Sequence, residues 1–480
     1  GLALCGVAAQ AQEKPNFLII QCDHLTQRVV GAYGQTQGCT LPIDEVASRG
    51  VIFSNAYVGC PLSQPSRAAL WSGMMPHQTN VRSNSSEPVN TRLPENVPTL
   101  GSLFSESGYE AVHFGKTHDM GSLRGFKHKE PVAKPFTDPE FPVNNDSFLD
   151  VGTCEDAVAY LSNPPKEPFI CIADFQNPHN ICGFIGENAG VHTDRPISGP
   201  LPELPDNFDV EDWSNIPTPV QYICCSHRRM TQAAHWNEEN YRHYIAAFQH
   251  YTRIVARQIE SVLEALYSTP AGKNTIVIVL ADHGHGMGSH RMVTKQVSFY
   301  EEMTNVPFII AGPGIHPRQK PVEDLLTQPT IDLLPTLCEL AGIPVPSSKP
   351  GISLAPFLKG EKQKRQHPYA ASEWHSEYEV TVSPGRMIRS PRYKYTHYLE
   401  GNGEELYDML KDKGERRNLA HDPKYSKILA EHRALLDDYI RRTQDDYRSL
   451  KVEADKRWRS HAPGYPNHEG PCARDIINRK

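Results

Sequence analysis

Four short apolar runs along the chain give way abruptly to polar residues: Asn16 to Gln21 before Asp23, Glu110 to Phe114 before Lys116, Phe169 to Phe175 before His179, and Thr275 to Leu280 before Asp282. Runs this short and continuously apolar predict strands covered on both faces, as in parallel sheets. Ligands of open α/β sheets lie beyond the carboxyl ends of the strands, so all four polar groups are expected on one rim. Between the third and fourth runs, Tyr241 to Tyr267 sets Tyr244, Ile245, Phe248, Tyr251, Val255 and Ile259 at helical spacing, which predicts a long amphipathic crossover helix. Ile331 to Leu340, stopped by Gly342, predicts another packed helix with glycine near its C-cap.

A stretch from Pro344 to Pro368, rich in Pro, Ser, Gly and Lys, marks a boundary. Beyond it Arg386 to Arg389 and Tyr393 to Tyr398 alternate like antiparallel strands, and Tyr425 to Tyr439 has helical spacing. The expected architecture is a large α/β domain over 12–360, with a mostly parallel sheet between helices, and a smaller C-terminal α+β subdomain over 361–450 with an antiparallel sheet. An irregular, proline-containing tail over 451–480 completes it. Residues 1–11, apolar and ending Ala9-Gln10-Ala11, resemble the remnant of a secretory signal peptide, so a periplasmic or secreted address is expected. No later apolar run reaches the roughly 18 residues of a membrane helix, and no transmembrane segment is expected.

Composition narrows the function. The 480 residues are 39% hydrophobic and 22% charged, with a formal charge of −7, which suits a globular protein and excludes a general nucleic-acid binder. An anionic ligand must therefore be held by local cations. Eleven cysteines form no CxxC pair and no zinc-finger spacing. Cys22 and Cys171 sit inside apolar runs as buried thiols, Cys224-Cys225 is a vicinal pair without an obvious partner, and no disulfide is assigned.

The run Cys60-Pro61-Leu62-Ser63-Gln64-Pro65-Ser66-Arg67 puts a serine just before a proline-started helix that stops at Gly73, with Arg67 one turn on. A side chain at a helix start faces free backbone N–H groups and the positive end of the dipole, a place suited to sulfate or phosphate.

That run resembles the signature of the formylglycine-dependent sulfatase family of the alkaline phosphatase superfamily, in which Cys or Ser followed by x-Pro-x-Arg is oxidised to formylglycine. The likeness extends through Asn16 to Asp23, Gly115-Lys116-Thr117-His118, Pro178-His179, Asp282-His283-Gly284, Gly288-Ser289-His290, Lys295 and Glu405-Leu406-Tyr407-Asp408. It implies an alkaline-phosphatase-like domain and hydrolysis of a sulfate ester by a hydrated aldehyde made from Ser63. It implies a divalent metal held by Asp23, His24, Ser63, Asp282 and His283, with His24 where the family usually has Asp or Gln. Oxygen donors favour calcium, the metal expected here, whereas imidazoles suit zinc or manganese. By the same resemblance Arg67, Lys116 and Lys295 hold the nucleophile and the sulfate oxygens, His118 is the base for the diol, and His179 or His290 is the acid for the leaving oxygen. Arg386, Arg389 and His375, with Glu373 beside them, are the candidates for binding the rest of the substrate.

A serine at position 63 implies an anaerobic sulfatase-maturing enzyme as partner and a bacterial source. The expected substrate is a sulfated carbohydrate, cleaved in exo fashion from glycosaminoglycan-derived sugars, with uronate 2-O-sulfate the chosen example. N-acetylglucosamine 6-O-sulfate, choline sulfate, and phosphonate or phosphodiester substrates are the alternatives. A sulfated-glycan binder without turnover remains if Ser63 stays unmodified.

Overall fold

The computed structural model of the chain describes residues 14–450, apart from 36–38, 85–91, 136–146, 188–199, 210–214, 218, 222–227, 234–235, 296–297, 364–365, 376–382 and 400–402. The segment 1–11, the tail 451–480 and Cys224-Cys225 lie outside the described residues.

Eight strands form the main sheet: β1 (Asn16–Cys22), β2 (Gly50–Ala56), β3 (Glu110–Gly115), β4 (Lys127–Lys129), β7 (Phe169–Phe175), β8 (Thr275–Ala281), β9 (Phe308–Ala311) and β10 (Val322–Thr327). A short ribbon, β5 (Lys134–Pro135) with β6 (Ser147–Phe148), stands apart. The order across the sheet is β10-β2-β9-β8-β1-β7-β3-β4. Within this sheet, β9 runs antiparallel to both of its neighbours, and the other pairings are parallel. Hence β1, β2, β3, β7 and β8 all end on the same side. The four apolar runs named above are β1, β3, β7 and β8, each within one residue of its expected bounds.

Alternation along each buried strand feeds two cores. Leu18, Ile20 and Cys22 of β1 and Val277 and Val279 of β8 pack on one face, with Phe248, Tyr251 and Val255 of the long helix Glu238–Tyr267. Phe17 and Ile19 with Ile276 and Ile278 pack on the other, with Leu70, Trp71, Leu333 and Leu337 from helices Ser63–Ser72 and Pro329–Ala341. Burying each such large apolar side chain stabilises the fold by about 1.5–3 kcal/mol. Both faces of the central strands are therefore covered, and their carboxyl ends are left for chemistry.

The helix carrying Ser63 starts earlier than its proline suggests. Ser63 is its first residue, after an extended Leu62, and Pro65 is third. The first four N–H groups of a helix have no intrahelical partner, so a proline at the third position breaks nothing. Gly73 ends the helix at φ +63, a left-handed conformation that favours glycine.

A second sheet follows, with strands β11 (Ala370–Trp374), β12 (Gly385–Arg389), β13 (Tyr393–Tyr398) and β14 (Glu404–Asp408), antiparallel throughout. Ala370, Trp374, Met387 and Tyr398 join the main core. Its other face, with Ala371, Ile388, Tyr395 and Leu406, receives Leu429, Leu436 and Tyr439 of helix Ser426–Thr443. Cys22, Cys60, Cys154, Cys171, Cys182 and Cys338 carry free thiols. Among the described residues no helix is long and apolar enough to cross a membrane.

Candidate active site

The shared direction of five strands brings distant residues to one rim. Asp23 and His24 follow β1, Ser63 opens the helix after β2, Lys116 and His118 follow β3, and His179 follows β7. Asp282, His283 and His285 follow β8, with Lys295 further along that loop. Close approach is built in at Gly115, where an added Cβ would lie 2.0 Å from the Asp174 carbonyl oxygen. The rim is strained as well: His24 and His118 hold φ of +74 and +44, a region that residues with side chains rarely occupy outside functional sites.

Ser63 is 1% exposed, and its Oγ lies 2.9 Å from His283 Nε2 and 3.4 Å from Asp23 Oδ1. His283 Nδ1 lies 2.8 Å from the Gly284 carbonyl, which places its proton on Nδ1 and leaves Nε2 as an acceptor facing Ser63. Burial first, then the Lys295 charge, lowers this imidazole to about 3, so it stays neutral and ready to act as a ligand.

One turn along the helix, Arg67 organises the carboxylates. Nε donates to Asp282 Oδ2 at 2.8 Å, Nη1 to Asp174 Oδ2 at 2.6 Å and to the Lys116 carbonyl at 3.2 Å, and Nη2 lies 3.9 Å from Asp23 Oδ2. The Gln21 amide, with its oxygen turned to Arg67, accepts from Nη1 and Nη2 at 3.0 and 3.2 Å. Arg67, expected to hold the nucleophile and the sulfate oxygens, instead holds the carboxylates beside Ser63, because its fork is already filled by groups that a fully buried guanidinium needs. The cations aimed into the site are Lys116, whose Nζ meets Asp23, and Lys295, whose Nζ meets His24 Nε2. Burial would raise the Asp23 carboxyl, but the charges of Lys116, Lys295 and Arg67 outweigh it and hold it well below the usual range. Burial and the charge of Asp23 push Asp282 up to about 7, and burial brings Lys295 down to about 8.

Two carboxylates side by side in a buried pocket call for positive charge, and the donors converge on one point. Ligand atoms of Asp23, His24 and His283 all lie within 4.8 Å of one another. Asp282 Oδ1 is 3.8 Å from His283 Nε2, and the Ser63 hydroxyl completes the set. These residues fit a divalent cation.

His118 is lowered to about 3 by burial, then by Lys116 and Arg67, and its buried Nδ1 has no partner. His179 is also held neutral by burial and Lys116, and its ring lies 4.4 Å from that of His24. His290 is placed elsewhere: it stacks on Tyr300 at 3.9 Å, and its Nε2 lies 3.4 Å from Asn207 Nδ2, beside Glu302. An aromatic shelf and a buried amide hold it as a structural residue, not as the acid at the leaving oxygen.

Of the substrate-binding candidates, Arg386 is corrected too. Its Nε and Nη2 pair with Asp445 at 2.7 and 2.9 Å, and Nη1 donates to the Trp374 and Gly385 carbonyls. A guanidinium 2% exposed and fully partnered cannot turn to a ligand. Arg389 donates to Tyr57 Oη at 2.8 Å and lines a separate cleft of about 370 Å³ with Arg28 and Asn305. His375 lines a narrow pocket with Cys60, Arg82 and Arg386, and its Nδ1 has no partner. Glu373 in that pocket accepts from the backbone and ring of His77 at 2.9 and 2.6 Å.

Asp174 and Gln21, which hold Arg67, and His285, beside His24, belong to the same cluster and were missed in the reading of the sequence. An acid and an amide inside otherwise apolar strands were the available signal, since buried polar groups demand partners. His285, whose ring is 5.0 Å from that of His24, completes an Asp-His-Gly-His run.

Known proteins resemble the chain in sequence and in fold. A family model described as Sulfatase matches residues 15–343, and one described as N-sulphoglucosamine sulphohydrolase, C-terminal, matches 288–442. The chain is 88% identical, over the whole of both sequences, to a Delta 4,5-hexuronate-2-O-sulfatase of Bacteroides thetaiotaomicron. It superposes with a TM-score of 0.92 on the structure of a 2-O GAG sulfatase, at 88% identity, over 97% of this chain and 100% of that one. The phosphonate monoester hydrolase of Agrobacterium radiobacter shares the fold, with a TM-score of 0.71 at 20% identity over 91% of this chain and 97% of that one.

Proposed function

The chain belongs to the sulfatase family and is a sulfuric ester hydrolase, and from that premise we propose that it removes the 2-O-sulfate from a Δ4,5-unsaturated hexuronate released from a glycosaminoglycan. The 88% identity over the full length of a relative of that specificity carries the finer reading. A hexuronate brings a carboxylate as well as a sulfate. Arg82, paired with Asp446 at 2.9 Å near the surface, and His375 are the groups that we assign to it, in the pocket that begins at Cys60.

In this reading Ser63 is converted to formylglycine, which supplies a geminal diol: one hydroxyl for attack on sulfur, and a second whose deprotonation releases inorganic sulfate. A divalent ion, calcium in our proposal, supplies charge neutralisation and lowers the pKa of the attacking hydroxyl. Asp23, Asp282, His283 and His24 are the residues that would hold it. Lys116 and Lys295 take up the sulfate oxygens, where charge spread over several atoms needs preorganised cations. His118, neutral and with an unpartnered nitrogen, accepts the proton of the second hydroxyl. His179 serves in this reading as proton donor to the leaving oxygen, with a sulfate anion between the two lysines offsetting the burial and the Lys116 charge that otherwise keep the imidazole neutral.

The test is parallel turnover on a Δ4,5-hexuronate-2-O-sulfated disaccharide, N-acetylglucosamine 6-O-sulfate, choline sulfate and a phosphonate monoester. The uronate should be preferred by the largest kcat/KM, and preference for any other member of the panel would overturn the specificity. Mass spectrometry of the peptide containing Ser63, from a host with a maturing enzyme, should show the loss of one pair of hydrogens. Intact serine alone in active enzyme would refute the nucleophile.

A further inference from the structure

One side chain at the rim plays no part in the chemistry above. Cys182 is the second residue of the helix Ile181–Glu187, its backbone N–H bonded to the His179 carbonyl at 3.0 Å. Its thiol sulfur lies with one ring nitrogen each of His24 and His179 in a group whose ligand atoms are all within 4.8 Å of one another. His24 Nδ1 is buried without a partner, and the His24 and His179 rings are 4.4 Å apart.

This donor set differs in kind from the carboxylate set beside it. Calcium takes oxygen ligands, whereas thiolate with imidazole selects zinc and similar thiophilic ions. Zinc at 2.0–2.3 Å from tetrahedral ligands sets them roughly 3.3–3.8 Å apart, so the group needs to close by about 1 Å. His179 and Cys182 are only half-buried, which leaves a solvent path for the ion and for a water as fourth ligand.

We propose that His24, His179 and Cys182 form a second, soft metal site, and that a zinc ion bound there inhibits the enzyme by capturing His179. Binding expels one proton, from the Cys182 thiol to solvent, and forms one zinc–sulfur and two zinc–nitrogen bonds without any change of oxidation state. His24 also belongs to the group with Asp23 and His283, so the two sites share a residue and an ion in one strains the other. The binding stands on the geometry alone. The inhibition rests on the sulfatase reading with His179 as proton donor.

The experiment uses calcium-loaded, full-length enzyme titrated with zinc, and with cobalt as a spectroscopic stand-in. Cobalt should give the near-ultraviolet charge-transfer band of a thiolate ligand, and zinc should abolish it by displacement. Cys182→Ser should lose the band, bind zinc about a hundredfold more weakly, and keep its zinc-free turnover while escaping zinc inhibition. Absence of the band in the wild type, or equal zinc affinity in the two proteins, would overturn the site. A band that Cys182→Ser removes, together with zinc inhibition that it leaves in place, would keep the site and overturn its inhibitory role.

Discussion

Two buried arginines organise two clusters in this molecule, and the clusters differ in how completely they are satisfied. Around Arg386, Asp445 takes a two-pronged pair, Glu373 takes the backbone and ring of His77 together with the Tyr439 hydroxyl, and His77 Nε2 lies 3.2 Å from the Thr443 carbonyl. Around Arg67, the guanidinium is equally filled, yet His24 Nδ1, His118 Nδ1 and His285 Nε2 are buried without partners and two lysines face inward. A closed network joins the second sheet to helix Ser426–Thr443 and stabilises. An open one keeps valence for something that is not part of the chain, at a cost in stability that functional sites commonly carry. Burial and charge alone do not separate the two; the share of unsatisfied atoms does, with imidazole nitrogens of His24, His118 and His285 around Arg67 against His375 Nδ1 beside Arg386.

The comparison breaks first at the nucleophile. Ser63→Ala removes the atom that faces Asp23 and His283, so turnover should fall by a factor on the order of a million, the scale seen when a hydrolase loses its nucleophile. The thermal midpoint should stay near that of the wild type, because Ser63 Oγ supports no packing. Measurable activity within a few hundredfold of the wild type would remove Ser63 from the reaction.

Arg386→Ala tests the closed cluster. It leaves Asp445 and Glu373 buried with a cation removed, which should cost about 3–5 kcal/mol of stability. At saturating substrate kcat of the folded protein should be unchanged, while KM should rise, because Arg386 lines the pocket assigned to the uronate carboxylate. A normal melting temperature, or a fall in kcat at full folding, would place Arg386 in the wrong cluster.

Lys295→Ala tests the open one. Loss of one preorganised donor should lower kcat by about a hundredfold or more, equivalent to about 2.7–4 kcal/mol of barrier. Stability should rise or hold, since a buried ammonium is relieved. An unchanged rate would mean that the lysine only packs against His24.

Much of the open cluster could be read from the sequence, and little of the closed one. Asp23, Lys116, His179 and Asp282 each follow an apolar run, so the sheet rule alone gathered them. Asp174 was hidden because it lies within such a run, in β7, and its partner Arg67 is distant in the chain. His290 and Arg386 misled for a related reason. Sequence shows that a polar residue sits near an interesting segment, but not whether its hydrogen bonds are already taken by residues such as Asn207 or Asp445. The reversed strand β9 was missed because a buried apolar strand reads the same in either direction.

The smallest expected effect concerns acid. Burial alone would raise the Glu373 carboxyl, but His77 and Arg386 outweigh it and hold it at about 2 in the folded protein, against roughly 4.3 in an unfolded chain. A depressed folded pKa contributes stability that is fully present above the unfolded value and is lost as pH falls from about 4.3 toward 2. One proton limits the slope to about 1.4 kcal/mol per pH unit. Glu373→Gln has no such proton to take up, so its melting temperature should lie below that of the wild type at neutral pH, and the gap should shrink only below about pH 4.3. Turnover of the folded variant should keep the wild-type pH profile, because the closed cluster does not touch the reacting atoms. A gap that stays constant down to pH 2.5 would show that Glu373 is not an ionised partner of His77 and Arg386, and the contrast between the two arginine clusters would lose its electrostatic half.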